Sequence, residues 1–383
     1  MNRIVTGVTL SALLVLTSGA DAQIVEKSGS VFHKAVCGRV AGPIARCHAH
    51  VVTDRLGNAI GHDGASIVGY TPSDLRDAYK ITTDGRSSTI VAAAAAFGYD
   101  NAESDLAVYR AQFGLPPCTT ANGCFRKLNQ KGKQKKYPAQ NIGWAEDSAV
   151  DLDMASAMCP NCRIWLVEAN TNAFKDLAAA VDTAARLGAH VISNSYGGTD
   201  AFGSLQRAYR HPGIAITASS GDSGPQFPAS LPTVTAVGGT HLVRDGSARG
   251  WAETAVGNGG CTSYKKPKWQ KDTGCTKRTV VDVAAVADPA TGVAVYGPNA
   301  SGVSTWLEFG GTSVAAPIIG GVYGNNGGTV KFGSDPYAHT DALFDIVSGP
   351  GGGCDPAYLC SAGPGYDAPT GMGTPDGIAA FGN

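Results

Sequence analysis

"CRIWLVEANTNAFKDLAAAVDTAARLGAHVISNSYGG", residues 162–198, reads as strand, helix, strand. CRIWLVEA (162–169) is a strand, AFKDLAAAVDTAARLG (173–188) a helix closed by Gly188, and AHVISNSYGG (189–198) a second strand. Both strands are apolar throughout rather than alternating, as expected when helices cover both faces of a parallel sheet. Upstream, STIVAAAAAFGY (88–99) gives another buried strand. NAESDLAVYRAQFGL (101–115) places Leu106, Tyr109 and Phe113 at helical spacing and stops at Gly114 before Pro116. Downstream, GIAITASSGD (213–222) and TVTAVGG (233–239) continue the strands, while YTPSDLRDAYKI (70–81) opens the region with a helix starting near Pro72. The pattern predicts one large α/β domain over 66–383, a doubly wound, mostly parallel sheet with helices on both faces.

The chain has 383 residues, 43% of them hydrophobic, enough for a sizeable core. A formal net charge of -1 argues against nucleic-acid or anionic-membrane partners. The basic run RKLNQKGKQKK (126–136) lacks interleaved aromatics and reads as a solvated loop. Arg3, an apolar stretch and Ala20-Asp21-Ala22 make residues 1–22 a secretory signal peptide, so export and an extracellular location are expected. Ten cysteines suit that oxidising destination. They fall as neighbours, Cys37/Cys47, Cys118/Cys124, Cys159/Cys162, Cys261/Cys275 and Cys354/Cys360, for which five local disulfides are the simplest pairing. CPNC (159–162) has no second CxxC or nearby histidine cluster and reads as a structural disulfide rather than a zinc site. Residues 23–65 form a short, turn-rich lead segment.

Two serines compete as a nucleophile. Ser223 lies in SSGDSG (219–224), the surroundings of the nucleophile in trypsin-like proteases, but the α/β pattern excludes that all-β fold. Ser313 lies in GGTSVAAP (310–317), where small residues let a serine stand at a helix N-terminus. None of the eight histidines has the sequence context of a subtilisin base, which leaves a carboxylate for that role. WAEDSAVDLDMASAMCP (144–160) supplies several. On a helix Asp147 and Asp151 share a face about 40° apart, with Glu146 roughly 140° from Asp151. Like charges at that spacing destabilise an isolated helix, and alone the segment also fits an acidic solvated face.

Taken together, the acidic helix, SSGDSG after a strand and GGTSVAAP near the end resemble the sedolisin family of secreted, acid-acting serine-carboxyl peptidases, which have a subtilisin-like fold. YTPSDLRDAY looks like the start of its catalytic domain, and the resemblance spans about 66–383 with every motif in order. It implies Ser313 as nucleophile, Asp151 as second triad acid and Asp222 as oxyanion-hole aspartate. Asp147 stands where the family has Glu as first triad acid. Asp345-Ile346 with AGPGYD (362–367) implies a Ca²⁺ site of Asp345, Ile346, Gly363, Gly365 and Asp367. The expected partners are polypeptide substrates, with the chain a monomer. Residues 23–65 stand where the family carries a large prodomain, so this short segment either substitutes for it or the protein folds without such help. A catalytically weak, protein-binding member of the family is the alternative reading.

Overall fold

The computed structural model describes residues 24–382 apart from 65, 200–202, 222–223, 258, 328–329 and 351–353. The signal-peptide assignment, 1–22, and both Asp222 and Ser223 lie outside the described residues.

The lead segment is more regular than its turn-rich composition suggests. It forms β1 (Val25–Ser28), β2 (Val31–Ala35), β3 (Arg46–Cys47) and β4 (His50–Thr53). Thr71 then caps α1 (Pro72–Ala78) in a capping box with Asp74, with Pro72 in the first turn. The core alternates β5 (Ile90–Ala96), α2 (Ala102–Gln112), β6 (Phe125–Asn129), α3 (Ile142–Met158), β7 (Arg163–Ala169), α4 (Phe174–Arg186), β8 (Val191–Asn194) and β9 (Tyr196–Gly197). There follow β10 (Ala215–Ser219), β11 (Thr235–Arg244), β12 (Trp251–Val256), the short pair β13 (Gly260–Cys261) and β14 (Thr279–Val280), and β15 (Val283–Val286). Last among the elements used here come β16 (Val293–Pro298), β17 (Ser304–Gly310) and α5 (Thr312–Asn326).

The central sheet runs β12-β11-β10-β8-β5-β7-β6, with β15 also on β11. Every pairing in it is parallel except β11 with β12. Helices α2 and α5 each pack on α3, whereas α4 meets β5, β7 and β8. Strand β5 is buried at every position, and its run of alanines is a strand although alanine is the best helix former. Burial on both faces outweighs a propensity of at most a few tenths of a kcal/mol per residue. The small side chains also admit close helices: Gly324 of α5 has no room for a Cβ against Val91.

The basic run 126–136 departs from a plain loop. Its first residues complete β6, the sheet's edge, with Leu128 and Asn129 buried, and the remaining lysines lie in the loop beyond. All five neighbouring cysteine pairs are disulfides, Cys159–Cys162 included. A second sheet, β1-β2-β4-β17-β16, joins the lead segment to the body, because β4 pairs with Phe309 and Gly310 of β17 just before Ser313. Among the described residues no helix is long and apolar enough to cross a membrane.

Candidate active site

Helices α3 and α5 bring the sequence-predicted groups together. Gly311, at φ 93, turns the chain out of β17, and Ser313 stands in the first turn of α5. Pro317 lies four residues on and has no N–H, so the Ser313 carbonyl lacks its helical donor. The Ser195 hydroxyl, just beyond β8, reaches that carbonyl at 3.3 Å. Thr312 accepts a hydrogen bond from the Gly221 amide at 3.1 Å, holding Gly221 against the nucleophile's turn.

Facing Ser313 is α3, capped by the Asn141 side chain on the Trp144 amide. The helix is continuous through 142–158, so the helical phase read from sequence holds. The acidic residues are not a solvated face: Glu146, Asp147, Asp151 and Asp153 are all buried. Asp153 accepts from the Tyr296 amide, and Glu146 is offset from the pair towards Lys34 of the lead segment. Asp151 accepts a 2.5 Å hydrogen bond from the Ser195 hydroxyl. Both carboxylate oxygens of Asp147 lack a hydrogen-bond partner.

Burial pushes the Asp147 carboxyl well above the usual range, and negative Asp151 pushes it further; the neighbouring Ser313 hydroxyl works in the opposite direction. Asp151 is raised by burial too, against the stabilising Ser195 hydroxyl. The two cannot both ionise cheaply at this separation, so the pair binds a proton in a pH range where isolated aspartates have lost theirs. The Ser313 hydroxyl is near Asp147 but donates to the Ser195 carbonyl, at 2.9 Å, and accepts from the His48 amide at 3.0 Å.

His48 was not among the residues singled out from sequence, nor was Ser195. Ser195 carried one usable signal: it follows a strand of a parallel sheet, at the carboxyl end where ligands collect. His48 carried none, since its role depends on β3 pairing antiparallel with β9, in the register Arg46 with Gly197 and Cys47 with Tyr196. That ladder lays the lead segment over Ser313, which is fully buried. The His48 ring bonds Ser219 and Gln226, and the contact with Ser313 is through its main-chain N–H.

The residues proposed for calcium also meet. The Asp345 carboxylate accepts from the Gly365 amide at 2.8 Å, and Asp367 from the Gly363 amide at 3.0 Å. Asp367 is also held by Thr370, and Ile346 is buried beside them in sequence. Gly365, at φ 79, makes the turn. The two carboxylates are close enough for Asp345 to raise the Asp367 carboxyl, and carboxylate oxygens are the donors a hard cation takes. A different set converges in the lead sheet, where ligand atoms of Glu26, His33 and His50 lie within 4.8 Å of one another. There the two imidazoles already share a 3.0 Å Nδ1–Nδ1 hydrogen bond.

Buried acids leave a signature in stability. Burial raises Glu146 to about 8 against the pull of Lys34, and Glu168 to about 7 against the Tyr99 amide and Lys127. Each keeps its proton in the folded state at pH values where the unfolded chain, near its ordinary 4.5, has lost it. Stability therefore falls as pH rises from about 5 to about 8. The melting temperature is expected to drop across that interval, and to drop less in Glu146→Gln. A variant with the wild-type slope would show that Glu146 does not titrate there.

No protein-family model matches the chain. Kumamolisin from Bacillus sp. (strain MN-32) is 28% identical over 399 aligned residues, which cover 90% of this chain and 69% of kumamolisin. Tripeptidyl-peptidase 1 of Homo sapiens is 25% identical, over 81% of this chain and 63% of its own length. Among solved structures, Pseudomonas sedolisin, a serine-carboxyl proteinase complexed with two molecules of pseudo-iodotyrostatin, superposes with a TM-score of 0.68. That match covers 81% of this chain and 96% of the other at 23% identity, a likeness of fold.

Proposed function

The chain belongs to the sedolisin family of serine peptidases, and from that premise we propose that it is an exported endopeptidase that hydrolyses polypeptides at acid pH. The observation that carries the reading is the pairing of Ser313, in the first turn of α5, with two buried carboxylates on α3. The His48 imidazole beside the serine's turn is engaged by Ser219 and Gln226.

In the proposed reaction the Ser313 oxygen attacks the scissile carbonyl and its proton passes to Asp147. Asp151, held by Ser195, raises the proton affinity of Asp147. Collapse of the tetrahedral intermediate breaks the C–N bond as the proton passes on to the leaving amine. Water then repeats the sequence on the acyl-enzyme and frees Ser313. Asp222 takes the part of oxyanion donor, which it can play only while protonated. The helix N-terminus at Ser313 adds a favourable dipole for the oxyanion.

A carboxylate base and a protonated oxyanion donor both favour acid solution, since an imidazole base would be charged there. Purified protein incubated with denatured casein should cleave it below about pH 6 and fall off towards neutrality. A neutral or alkaline optimum would refute the carboxylate base. Absence of cleavage at every pH would favour the second reading, a weak or inactive protein-binding domain. That reading draws support from the Ser313 hydroxyl, which points to the Ser195 carbonyl while Asp147 has no partner.

We assign the Ca²⁺ of the family to Asp345 and Asp367, with carbonyls of Ile346, Gly363 and Gly365 and water completing the shell. When bound, the ion supplies charge compensation that ties the C-terminal loop down; it takes no part in peptide hydrolysis. Chelation by EDTA should lower the melting temperature, and calcium should restore it. An unchanged melting curve would count against the site. Residues 1–22 are proposed to be removed on export, and 23–65 to stay with the 66–383 peptidase domain, which acts as a monomer.

A further inference from the structure

Residues 44–48 lie along the body as an extended peptide. The Ala45 amide donates to the Asn172 carbonyl at 2.8 Å, and the Asn172 side chain returns a 2.8 Å bond to the Ala45 carbonyl. Arg46 and Cys47 form the two-residue ladder with β9, and the His48 amide reaches the Ser195 carbonyl at 3.3 Å. The next peptide group, His48–Ala49, sits against Gly311, where any Cβ would collide with the His48 carbonyl. The main chain is thus held by backbone bonds on the edge that leads to Ser313, the way peptide ligands add a strand to a sheet edge.

The side chain of His48 fills a pocket made for it. It is 0% exposed. Its Nδ1 lies 2.7 Å from the Ser219 hydroxyl and its Nε2 lies 3.0 Å from the Gln226 side-chain oxygen. A Cβ on Gly197 would come to 2.8 Å from the ring's Cε1, and one on Gly221 to 3.2 Å. Two glycines therefore leave the space for the flat edge of the ring, and two polar side chains meet its nitrogens.

Building on the peptidase reading, we propose that residues 44–48 are bound as a substrate is bound, on the N-terminal side of the bond to be cut. The pocket of Ser219, Gln226, Gly197 and Gly221 then selects the residue preceding that bond. It takes histidine, a planar side chain with a polar atom at each edge. An aliphatic side chain of similar length would leave the buried Ser219 and the half-buried Gln226 unpaired, which sites of this kind reject strongly. The Cys37–Cys47 disulfide anchors the occupying strand, so the chain keeps a histidine-bearing ligand in its own groove until that strand lifts.

The test reads binding, not turnover, so its failure is separable from failure of the peptidase reading. Full-length protein carrying Ser313→Ala and Arg46→Pro has a weakened strand, because proline cannot donate to the ladder. Calorimetric titration with acetyl-Ile-Ala-Arg-Ser-His-amide should show affinity at least tenfold above that of the same peptide ending in alanine. It should also be at least tenfold above affinity for Ser313→Ala protein with Arg46 intact. Equal affinity for the two peptides would overturn the pocket, and equal affinity for the two proteins would overturn the groove. Should Arg46→Pro not melt cooperatively, His48→Ala in the full chain replaces it. Imidazole should raise the melting temperature of that variant and leave wild type unchanged; no rise would overturn the proposal.

Discussion

Ser313→Ala is expected to abolish hydrolysis while leaving a folded protein. Removing the nucleophile of a serine peptidase costs on the order of 10⁶ in kcat, the largest single effect available at this site. The structural cost is small. The hydroxyl's two neutral hydrogen bonds, to the Ser195 carbonyl and from the His48 amide, are worth about 1 kcal/mol each. Ser195 can still accept from His48, which already lies within 3.3 Å of it. A melting curve within a few degrees of wild type, beside an undetectable rate on casein at the pH where wild type is most active, is the predicted pair of results. Ser223→Ala should leave the rate unchanged, since the α/β sheet gives GDSG no trypsin-like role. Proteolysis retained by Ser313→Ala would remove the assignment outright.

The inner strands of the sheet were legible because β5, β8 and β10 are buried at every position and the strands alternate with helices that have clear ends. Gly188 and the Gly114–Pro116 pair close helices where the structure closes them, within a few residues. Asp147 and Asp151 were legible as a pair because helical phase is a local property, and α3 keeps it. Their burial was not. An acidic helix on its own looks solvated, and only the packing of α3 on α5 and β16 takes the carboxylates out of water. The lead segment was the least legible part. Strands β1 to β4 are two to five residues long, too short for periodicity to register; β3 gains its partner from residues 196–197, and β4, paired locally with β2, is tied to the body through 309–310. Long-range pairing of that kind leaves no trace in a local window. His48 followed the same rule: nothing around it in the sequence announces Ser219, Gln226 or Ser313 as neighbours.

The carboxylate that takes the proton decides how fast the site works and at what pH. In the proposed mechanism Asp147 is the base, its carboxylate oxygens lacking a hydrogen-bond partner near Ser313, and Asp147→Asn should lower kcat about 10⁴-fold because an amide cannot take the proton. Aspartate is also one methylene shorter than the glutamate of the family, about 1.5 Å less reach. A misplacement of about 1 Å can cost ~10² in rate. Asp147→Glu is therefore expected to raise kcat at acid pH, by tenfold or more. The sign of the pH effect follows from the neighbour. Asp151 raises the Asp147 pKa, so the acid limb of the kcat/KM profile lies above the ordinary carboxylate range. Asp151→Asn removes that like charge, lowers the Asp147 pKa and moves the limb to lower pH, although burial keeps it from returning fully. The same change costs rate, because Asp147 is then the weaker base. Glu146→Ala should leave kcat nearly unchanged, since continuous helix holds its side chain on another face towards Lys34. Should Asp147→Glu slow the enzyme while Glu146→Ala abolishes its activity, the base is Glu146. Helix α3 would then have to unwind at its first turns during catalysis.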